Sequence, residues 1–337
     1  MKNLTRLSLS VLSLAAVSGA LLSTALIRSG HAVIRGEDGR IEAYEVQDSL
    51  LKSMSDANVA IFNKSELSIS RKQVKLKKGE TFGEANNLCT DQRFLQQPRN
   101  SFCSGTLIAP NLILTAGHCV SPSGNQEPSW CRKNVKFVFG YEMASADSVN
   151  AIDKSETYDC KNIVAFKMDL QGENYVDYAL VQLDRVVTNH VPAAVDRSLL
   201  PIDLKTPLTL IGYPDGLPKK VALGGSVKTS DPKQSYYTAD LDSIGGNSGS
   251  PVFNAKTGEV VGILGGKVII TAKRVKPGQT GNFGTMIMPK RSSGDIDFIL
   301  SDKPGAECLV ENRKPDAETL GDLVTRISLV APSIPQK

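Results

Sequence analysis

Histidine is scarce in this 337-residue chain, where only His31, His118 and His190 occur. Because histidine is the side chain whose ordinary pKa lies nearest neutral pH, few residues can serve as a general base. Cofactor and metal signatures are also missing: the chain has no phosphate-binding loop, no metal-ligand cluster and no CxxC pair of cysteines. We therefore predict a protein that uses no cofactor and no metal ion.

A long uncharged run occurs only at the start of the chain. Lys2 and Arg6 precede it, it covers residues 7–27, and Gly30-His31-Ala32 then supplies the small residues that signal peptidase accepts. We predict a signal peptide over residues 1–32 and a secreted protein, periplasmic or extracellular, with no membrane contact after cleavage. A retained signal anchor is the alternative, because the uncharged run is about as long as a membrane span.

Charge gives little support to nucleic-acid binding. The formal net charge is +4, and the leader carries three positive charges and no acid, which leaves +1. The basic residues between positions 71 and 78 alternate with amide and apolar side chains, so we interpret them as the solvated face of a strand or loop. We expect protein or peptide substrates as partners, no nucleic acid, and a monomer.

Six cysteines, an even number, all lie beyond the leader. Together with the expected export, this number predicts disulfide bonds rather than a metal site. The cysteines are Cys89, Cys103, Cys119, Cys131, Cys160 and Cys308.

Short apolar runs separated by Gly, Pro, Asn and Asp dominate the middle of the chain, as in residues 104–108, 112–116 and 260–264. Short strands at such spacing predict an all-β fold. Residues 191–207, which contain three prolines, are the predicted link between two halves.

One helix is predicted near the C-terminus. It follows the helix-starting pair Pro315-Asp316, and apolar residues recur after this pair at helical spacing. The recurring residues are Leu320, Leu323, Val324, Ile327 and Val330.

His118 is the preferred candidate for a general base. His31 is removed with the leader, so the base is His118 or His190. His118 follows an apolar strand that ends in Ala116-Gly117, where an imidazole can project from the end of a packed element. His190 lies in a segment that indicates only an exposed turn.

Ser248 is the candidate nucleophile. It lies in Gly245-Gly246-Asn247-Ser248-Gly249-Ser250-Pro251, where glycines on both sides let the backbone fold tightly and direct N–H groups towards one point. Each such donor typically stabilises an oxyanion by about 3 kcal/mol. Gly246 and Ser248 are the predicted donors. A plain Gly/Ser turn would explain the composition, but not its occurrence together with the histidine segment.

Asp177 is the candidate that orients the base. It begins Asp177-Tyr178-Ala179-Leu180-Val181-Gln182-Leu183, a mostly apolar strand in which a carboxylate needs a partner. An imidazole N–H would supply that partner and would fix the tautomer of the base. Asp169 and Asp184 are weaker candidates, because each can face water.

The order His, Asp, Ser differs from the Ser-Asp-His order of α/β-hydrolases and from the Asp-His-Ser order of subtilisins. Ser250 also stands where the G-x-S-x-G motif requires its last glycine. Both observations argue against an esterase or lipase of the α/β-hydrolase type.

Four segments together resemble the chymotrypsin-like, trypsin-fold serine peptidases, and within them the bacterial glutamyl-endopeptidase-like branch. Residues 33–40 also resemble the mature amino terminus of that branch. The four segments are Cys103-Ser104-Gly105-Thr106-Leu107-Ile108, Thr115-Ala116-Gly117-His118-Cys119, Asp177-Tyr178-Ala179-Leu180 and the glycine-rich segment around Ser248.

The resemblance implies two six-stranded antiparallel β-barrels of the chymotrypsin type, with the active site in the cleft between them, and we add the C-terminal helix. His118 and Asp177 then belong to the first barrel and Ser248 to the second. We divide the mature chain into an N-terminal extension with first strands at 33–100, a first barrel at 101–195, a second barrel at 196–300 and a C-terminal segment with the helix at 301–337.

The resemblance also implies a disulfide between Cys103 and Cys119. The other four cysteines can pair in three ways, of which we choose Cys131 with Cys160 and Cys89 with Cys308.

Trypsin-like zymogens are activated when a new terminal ammonium pairs with an aspartate just before the catalytic serine. Asn247 occupies that position here, and a neutral amide cannot supply the ion pair. We therefore predict that the turn around Ser248 does not depend on proteolytic activation by that route.

The expected specificity pocket also departs from the branch. Glutamyl endopeptidases place a histidine where Leu264 stands, in a wall that continues with Gly265, Gly266 and Lys267, which weakens the case for cleavage after glutamate. Asp242 and Ser243, at the pocket base, resemble the trypsin arrangement for lysine and arginine, since a buried carboxylate favours a cation. In the alternative, Lys267 neutralises Asp242, or Asp242 caps a turn.

The sequence therefore predicts a secreted serine endopeptidase that acts through His118, Asp177 and Ser248 by way of an acyl-enzyme, and we expect cleavage after basic residues. The alternative is a catalytically silent trypsin-fold binding module. The usual signature of such a module is a missing catalytic residue, and all three residues are present here.

Overall fold

The computed structural model describes residues 38–170, 174–271, 284–288, 298–301, 303, 307–311 and 319–335. Strands make up most of the regular structure in these ranges, and the helices are short. The predicted signal peptide and its cleavage site lie outside the described residues. Among the residues described, no helix has the length and apolarity needed to cross a membrane.

The strands are numbered in chain order through the described residues. They are β1 (Arg40–Glu42), β2 (Asn58–Asn63), β3 (Leu67–Ile69), β4 (Gln73–Leu76), β5 (Ser101–Ala109), β6 (Leu112–Thr115), β7 (Val135–Val138), β8 (Met143–Ser145), β9 (Ser148–Val149), β10 (Ile152–Asp153), β11 (Thr157–Asp169), β12 (Val176–Leu183), β13 (Pro207–Gly212), β14 (Lys220–Thr229), β15 (Tyr236–Asp240), β16 (Pro251–Asn254), β17 (Val260–Thr271), β18 (Gly284–Met288), β19 (Phe298–Leu300), β20 (Leu309–Glu311) and β21 (Thr319–Arg326).

Short helices connect these strands. The α-helices are α1 (Ser49–Asp56), α2 (Phe82–Ala85), α3 (Gly117–Val120) and α4 (Pro128–Asn134). Single 3₁₀ turns are formed by Ala43–Glu45, Lys64–Glu66, Lys154–Glu156, Pro214–Gly216, Ile327–Leu329 and Ala331–Ser333.

Six antiparallel strands close into a first barrel in the order β11-β12-β6-β5-β2-β7. The apolar run of β6 is buried along its whole length, and β2 and β5 contribute further buried β-branched and aliphatic side chains such as Val59, Ile61 and Leu107. Branched side chains of this kind fit a pleated surface that is covered by a core. The prediction of strands from short apolar runs is confirmed for this half.

A second six-stranded ring runs in the order β13-β14-β15-β21-β17-β16 and closes back on β13. β1 extends this sheet beside β14, and β18 pairs with β17. The prediction of two closed six-stranded antiparallel barrels is therefore confirmed. Ile211, Phe253 and Ile263 of the second barrel pack into the same apolar cluster as the core of the first, so the two barrels meet at a shared core.

The predicted C-terminal helix is wrong, because residues 319–326 form strand β21. β21 lies between β15 and β17, and Leu323 and Val324 are both buried in the second barrel. A strand that is covered on both faces needs no alternation of apolar and polar residues, so its apolar residues here matched a helical spacing by coincidence. In the described residues that follow it, up to position 335, the regular structure consists of two 3₁₀ turns, Ile327–Leu329 and Ala331–Ser333.

The barrels also extend beyond the boundaries expected from the sequence. β2 lies within the expected N-terminal extension yet belongs to the first barrel, and β21 completes the second barrel from within the expected C-terminal segment. The connection between the barrels covers residues 184–206, which contain no named strand. This connection includes most of the predicted link.

The structure contains three disulfides, Cys89–Cys308, Cys103–Cys119 and Cys131–Cys160. These are the three pairings expected from the sequence. Cys103 lies in β5 and Cys119 in α3, so this bond joins a barrel strand to the helix that carries His118.

Buried ion pairs attach the N-terminal strand β1 to strand β20 and to strand β14 of the second barrel. The Arg40 guanidinium, almost wholly buried, lies 2.6 Å from Glu311 and 2.8 Å from Asp38. Lys220 Nζ lies 3.0 Å from Glu42. Because each buried charge has an opposite partner, the segment from Asp38 to Glu42 is fixed against the body of the protein.

Candidate active site

His118 lies in α3, one short turn of helix that begins two residues after strand β6 ends. Its side chain is only partly buried, so the imidazole lies at the surface of the cleft between the barrels. The preceding residue must be small: a Cβ atom on Gly117 would lie 3.0 Å from both Asp177 Oδ1 and the Phe166 ring. This explains the small residues before His118 that the sequence showed.

Asp177 is completely buried in β12, and both of its carboxylate oxygens contact His118. Oδ2 lies 2.5 Å from His118 Nδ1, and Oδ1 accepts the backbone N–H of His118 at 3.2 Å. A carboxylate in this place holds a proton on Nδ1 and directs Nε2 away from itself. The backbone of Asp177 is fixed in turn, because its N–H donates to Thr325 Oγ1 of β21 at 3.0 Å.

Neither alternative carboxylate takes this place. Asp169 is exposed at the end of β11, and Asp184 accepts the Asp159 N–H and pairs with Arg185 at the surface. The structure therefore brings together the histidine and the aspartate that the sequence favoured.

Ser248 lies in a turn between β15 and β16, which we call the nucleophile turn (residues 245–250). Gly246 and Gly249 adopt φ angles of +92° and +82°, which side chains other than glycine rarely tolerate. The carbonyl of Ser248 accepts the N–H of Ser104 at 2.8 Å. The turn is therefore attached to strand β5 of the first barrel.

Ser248 and His118 lie on either side of one disulfide sulfur. Cys119 Sγ lies 3.6 Å from the Ser248 carbonyl oxygen and 3.7 Å from His118 Nε2. Cys103, His118 and Cys119 form a group with metal-ligating atoms within 4.8 Å of one another. The two sulfurs are bonded to each other, however, so they offer no thiolate to a metal ion.

The N–H groups of the nucleophile turn fall into two sets. Those of Asn247, Gly249 and Ser250 donate to backbone carbonyls at 3.2, 2.7 and 2.9 Å. Those of Gly246 and Ser248 donate to no acceptor among the residues that the structure describes. These are the two N–H groups that the sequence analysis selected as oxyanion donors.

Asp242 and Ser243 precede the nucleophile turn and are buried. Oδ2 of Asp242 accepts the N–H of Gly39, just before strand β1, at 3.0 Å. Ser243 Oγ donates to Asp322 Oδ1 at 2.5 Å, and the N–H of Leu241 donates to Asp322 Oδ2 at 2.9 Å. Sequence reasoning missed Asp322, because it lies in the segment interpreted as a helix.

Leu264, Gly265 and Gly266, the expected wall of the pocket, lie in strand β17. Leu264 is 3% exposed and packs in the core of the second barrel, so its side chain does not line an open pocket. Successive residues of a strand point to opposite faces, and Gly265 accordingly lies on the other face. A Cβ atom there would lie 2.1 Å from Tyr175 Oη, so Tyr175 fills the space beside Gly265. The side chain of Lys267 lies outside the described residues.

His190 occupies a different environment from the one expected. Its Nδ1 lies 2.8 Å from Asp56 Oδ1 and its Nε2 lies 2.7 Å from Glu156 Oε2. The ring also stacks on that of Phe139, with 4.4 Å between the ring centroids. Burial by itself lowers the pKa of His190, but the hydrogen bonds to both acids outweigh it and raise the pKa to about 9. His190 is therefore a charged structural residue rather than an exposed turn.

Two closed barrels with a histidine, a buried aspartate and a serine turn at their junction define the chymotrypsin fold. Residues 103–263 match the family model of the trypsin-like peptidase domain. This stretch contains His118, Asp177 and Ser248. This part of the chain is therefore similar to a trypsin-like peptidase domain.

Solved structures are similar to this chain only at low sequence identity. The chain is similar to the Vibrio cholerae VesB protease at 16% identity and a TM-score of 0.42, over 75% of this chain and 64% of that one. It is similar to a Glu endopeptidase at 19% identity and a TM-score of 0.40, over 68% of this chain and 86% of that one. It is similar to human heparin binding protein at 13% identity and a TM-score of 0.44, over 88% of this chain and 94% of that one. The chain thus covers less than two thirds of the VesB protease. No curated protein is significantly similar in sequence.

Proposed function

We propose that this protein is a secreted serine endopeptidase that uses Ser248 as nucleophile, His118 as general base and Asp177 as the residue that orients the base. The observation that carries the proposal is the contact of both Asp177 oxygens with His118, made beside the turn that contains Ser248. Secretion is supported by the three disulfides, which form and persist in oxidising compartments.

The proposed reaction has two halves. Ser248 Oγ attacks the carbonyl carbon of the peptide bond while His118 Nε2 accepts its proton, and the oxyanion is stabilised by the Gly246 and Ser248 N–H groups. The intermediate expels the amine, which takes the proton from His118, and leaves an acyl-enzyme on Ser248. Water then attacks the ester, giving a proton to His118, and collapse releases the acid and returns that proton to Ser248 Oγ.

Labelling by a fluorophosphonate tests this proposal directly. The wild-type protein should be labelled at Ser248, and Ser248→Ala should abolish labelling. Ser250→Ala is the matched control, because it removes a buried hydroxyl two residues away that has no hydrogen-bond partner among the described residues. A folded wild-type protein that remains unlabelled would overturn the proposal in favour of the silent binding module.

We further propose that the enzyme cleaves after lysine or arginine. Asp242 precedes Ser243 in the chain and Asp322 accepts the Ser243 hydroxyl, so two buried carboxylates belong to the base expected for the pocket. A carboxylate at such a base favours a cationic side chain. Leu264 stands where the branch that the sequence resembles places a histidine, and its side chain is buried. This argues against the glutamate specificity of that branch.

A peptide library tests this preference. Lysine and arginine should be enriched before the cleaved bond, and Asp242→Asn should reduce kcat/KM for these peptides while uncharged peptides are affected less. A library profile with no enrichment of lysine or arginine would dismiss the proposed preference without affecting the proposed catalytic residues.

A further inference from the structure

Ser104 links the first barrel to the nucleophile turn. It lies in β5, directly after Cys103, and its side chain is completely buried. Each of its polar groups has a partner: its N–H donates to the Ser248 carbonyl at 2.8 Å, and its own carbonyl accepts the Thr115 hydroxyl at 2.7 Å. These backbone contacts would remain with any residue at position 104.

The hydroxyl of Ser104 makes two further contacts that another residue would lose. Oγ accepts the backbone N–H of Tyr213, the first residue after β13, at 3.0 Å, and it donates to the Gly246 carbonyl at 3.0 Å. A serine hydroxyl has one proton to donate, so the bond from Tyr213 assigns that proton to Gly246. One buried oxygen therefore connects β5, the end of β13 and the nucleophile turn.

The close packing around this hydroxyl leaves the turn few other positions. A Cβ atom on Gly246 would lie 2.6 Å from the Tyr213 carbonyl oxygen, and one on Gly212 would lie 3.0 Å from Ser104 Oγ and 2.0 Å from Ser250 Oγ. Gly246 is fixed from one side by Tyr213 and from the other by the Ser104 hydroxyl. Because glycine has no side chain and its backbone can adopt many conformations, the turn depends on such contacts to keep Gly246 at its φ of +92°.

We propose that Ser104 is a positioning residue that holds the nucleophile turn in the conformation in which the N–H groups of Gly246 and Ser248 point together at the oxyanion. The inference rests on the proposed function. The Ser104 N–H fixes the carbonyl of Ser248, and the Ser104 hydroxyl fixes the carbonyl of Gly246, so one residue holds both residues that donate to the oxyanion. The hydroxyl acts on the transition state, since the oxyanion forms only there.

The test is Ser104→Ala, with Ser104→Gly as a second hydroxyl-free variant in case alanine does not fold. Both keep the backbone bond to Ser248 and lose the bond to Gly246. We expect kcat to fall about ten- to a hundredfold, somewhat less than for the loss of an oxyanion donor itself, while KM stays within about twofold. The affinity for a peptide boronic acid, which mimics the tetrahedral intermediate, should fall in parallel with kcat/KM.

Thr106→Val is the matched control. Thr106 lies two residues further along β5, is equally buried, and donates its hydroxyl to the Ala57 carbonyl at 3.3 Å. Among the described residues, its hydroxyl makes no hydrogen bond to the nucleophile turn. This variant should lose stability to a similar degree, measured by thermal unfolding, and keep the wild-type kcat.

The outcomes separate the two proposals. Wild-type protein that is not labelled by fluorophosphonate overturns the proposed function. Labelled wild-type protein whose Ser104→Ala variant keeps kcat and boronate affinity within twofold overturns the role of Ser104 alone, as does an equal loss of kcat in Thr106→Val. The fraction of labelled enzyme, measured for each variant, corrects kcat for any protein that has not folded.

Discussion

His118 and His190 each have an aspartate at Nδ1, and the two sites are otherwise different. Asp177 Oδ2 lies 2.5 Å from Nδ1 of His118, and Asp56 Oδ1 lies 2.8 Å from Nδ1 of His190. Asp177 is completely buried, whereas the side chain of Asp56 is 39% exposed. The aspartate alone therefore does not distinguish a candidate base from a structural ion pair.

The other ring nitrogen makes the distinction. Nε2 of His190 lies 2.7 Å from a second carboxylate, that of Glu156, while Nε2 of His118 lies beside the disulfide that contacts the nucleophile turn. Carboxylates at both nitrogens stabilise the imidazolium, which cannot accept a proton. A single carboxylate at Nδ1 orients the ring and leaves Nε2 without a second carboxylate, as the proposed general base requires.

The largest expected difference comes from exchanging each histidine for glutamine. His118→Gln removes the proposed base, so kcat should fall by about a millionfold, as for a catalytic triad that loses its histidine. His190→Gln should leave kcat within twofold, because its ring lies in an ion-pair site away from the nucleophile turn. Steady-state kinetics on one peptide substrate measure both. A comparable loss of kcat in both variants would contradict the assignment of His118 as the base and of His190 as a structural residue.

The two aspartates should differ next. In Asp177→Asn the amide would donate to Nδ1 of His118 and favour the wrong tautomer, so kcat should fall about 10⁴-fold. Asp56→Asn makes the same chemical change at His190 and should not alter kcat. Rates measured between pH 6 and 9 with active-site titration check both variants. If Asp177→Asn retained most of its activity, the proposed role of Asp177 would be wrong.

The structural site should instead control stability. The pKa of His190 is raised to about 9, above the value of about 6.5 expected in the unfolded chain. Protonated His190 therefore stabilises the fold fully below about pH 6.5, and this contribution is lost as the pH rises towards about 9. The free energy of unfolding, measured in urea at several pH values, should fall over that window more steeply for wild type than for His190→Gln.

That prediction depends on a difference between two proteins, since other groups titrate in the same range. Burial lowers the pKa of Lys220 to about 8. The contribution of Lys220 to the free energy of unfolding therefore rises with pH, whereas that of His190 falls. Wild type and His190→Gln share Lys220, so its contribution cancels in the comparison. Parallel curves for the two proteins across the window would show that His190 is not held protonated by its two acids.

The sequence was most informative where chemistry is local. The glycines of the nucleophile turn, the small residues before His118 and the strand-like runs each follow from the preferences of a few consecutive residues, and the structure places them as expected. Asp177 could be selected because a carboxylate in an apolar strand needs a partner.

The sequence was least informative where distant segments meet. β21 is a strand because β15 and β17 lie on either side of it, and nothing in its own spacing shows those neighbours. The partners of His190 come from positions 56 and 156, and those of Ser104 come from positions 213 and 246. Contacts of this kind depend on the folded arrangement, so residue patterns within one segment do not contain them.

The smallest expected effects come from the two carboxylates that the sequence also offered as partners of the base. Asp184→Asn alters an exposed group that accepts the Asp159 N–H at 2.9 Å, a bond that the amide oxygen can still accept. Asp169→Asn alters an exposed residue at the end of β11. Both should keep kcat/KM within twofold, and stability should change by no more than about 1 kcal/mol, as is usual for surface charges.

Kinetics of these two variants, measured beside those of Asp177→Asn, sharpen the comparison. All three variants replace an aspartate by asparagine, and only Asp177→Asn does so at an imidazole beside the nucleophile turn. A hundredfold loss in either surface variant would mean that contact with His118 is not what selects the orienting carboxylate.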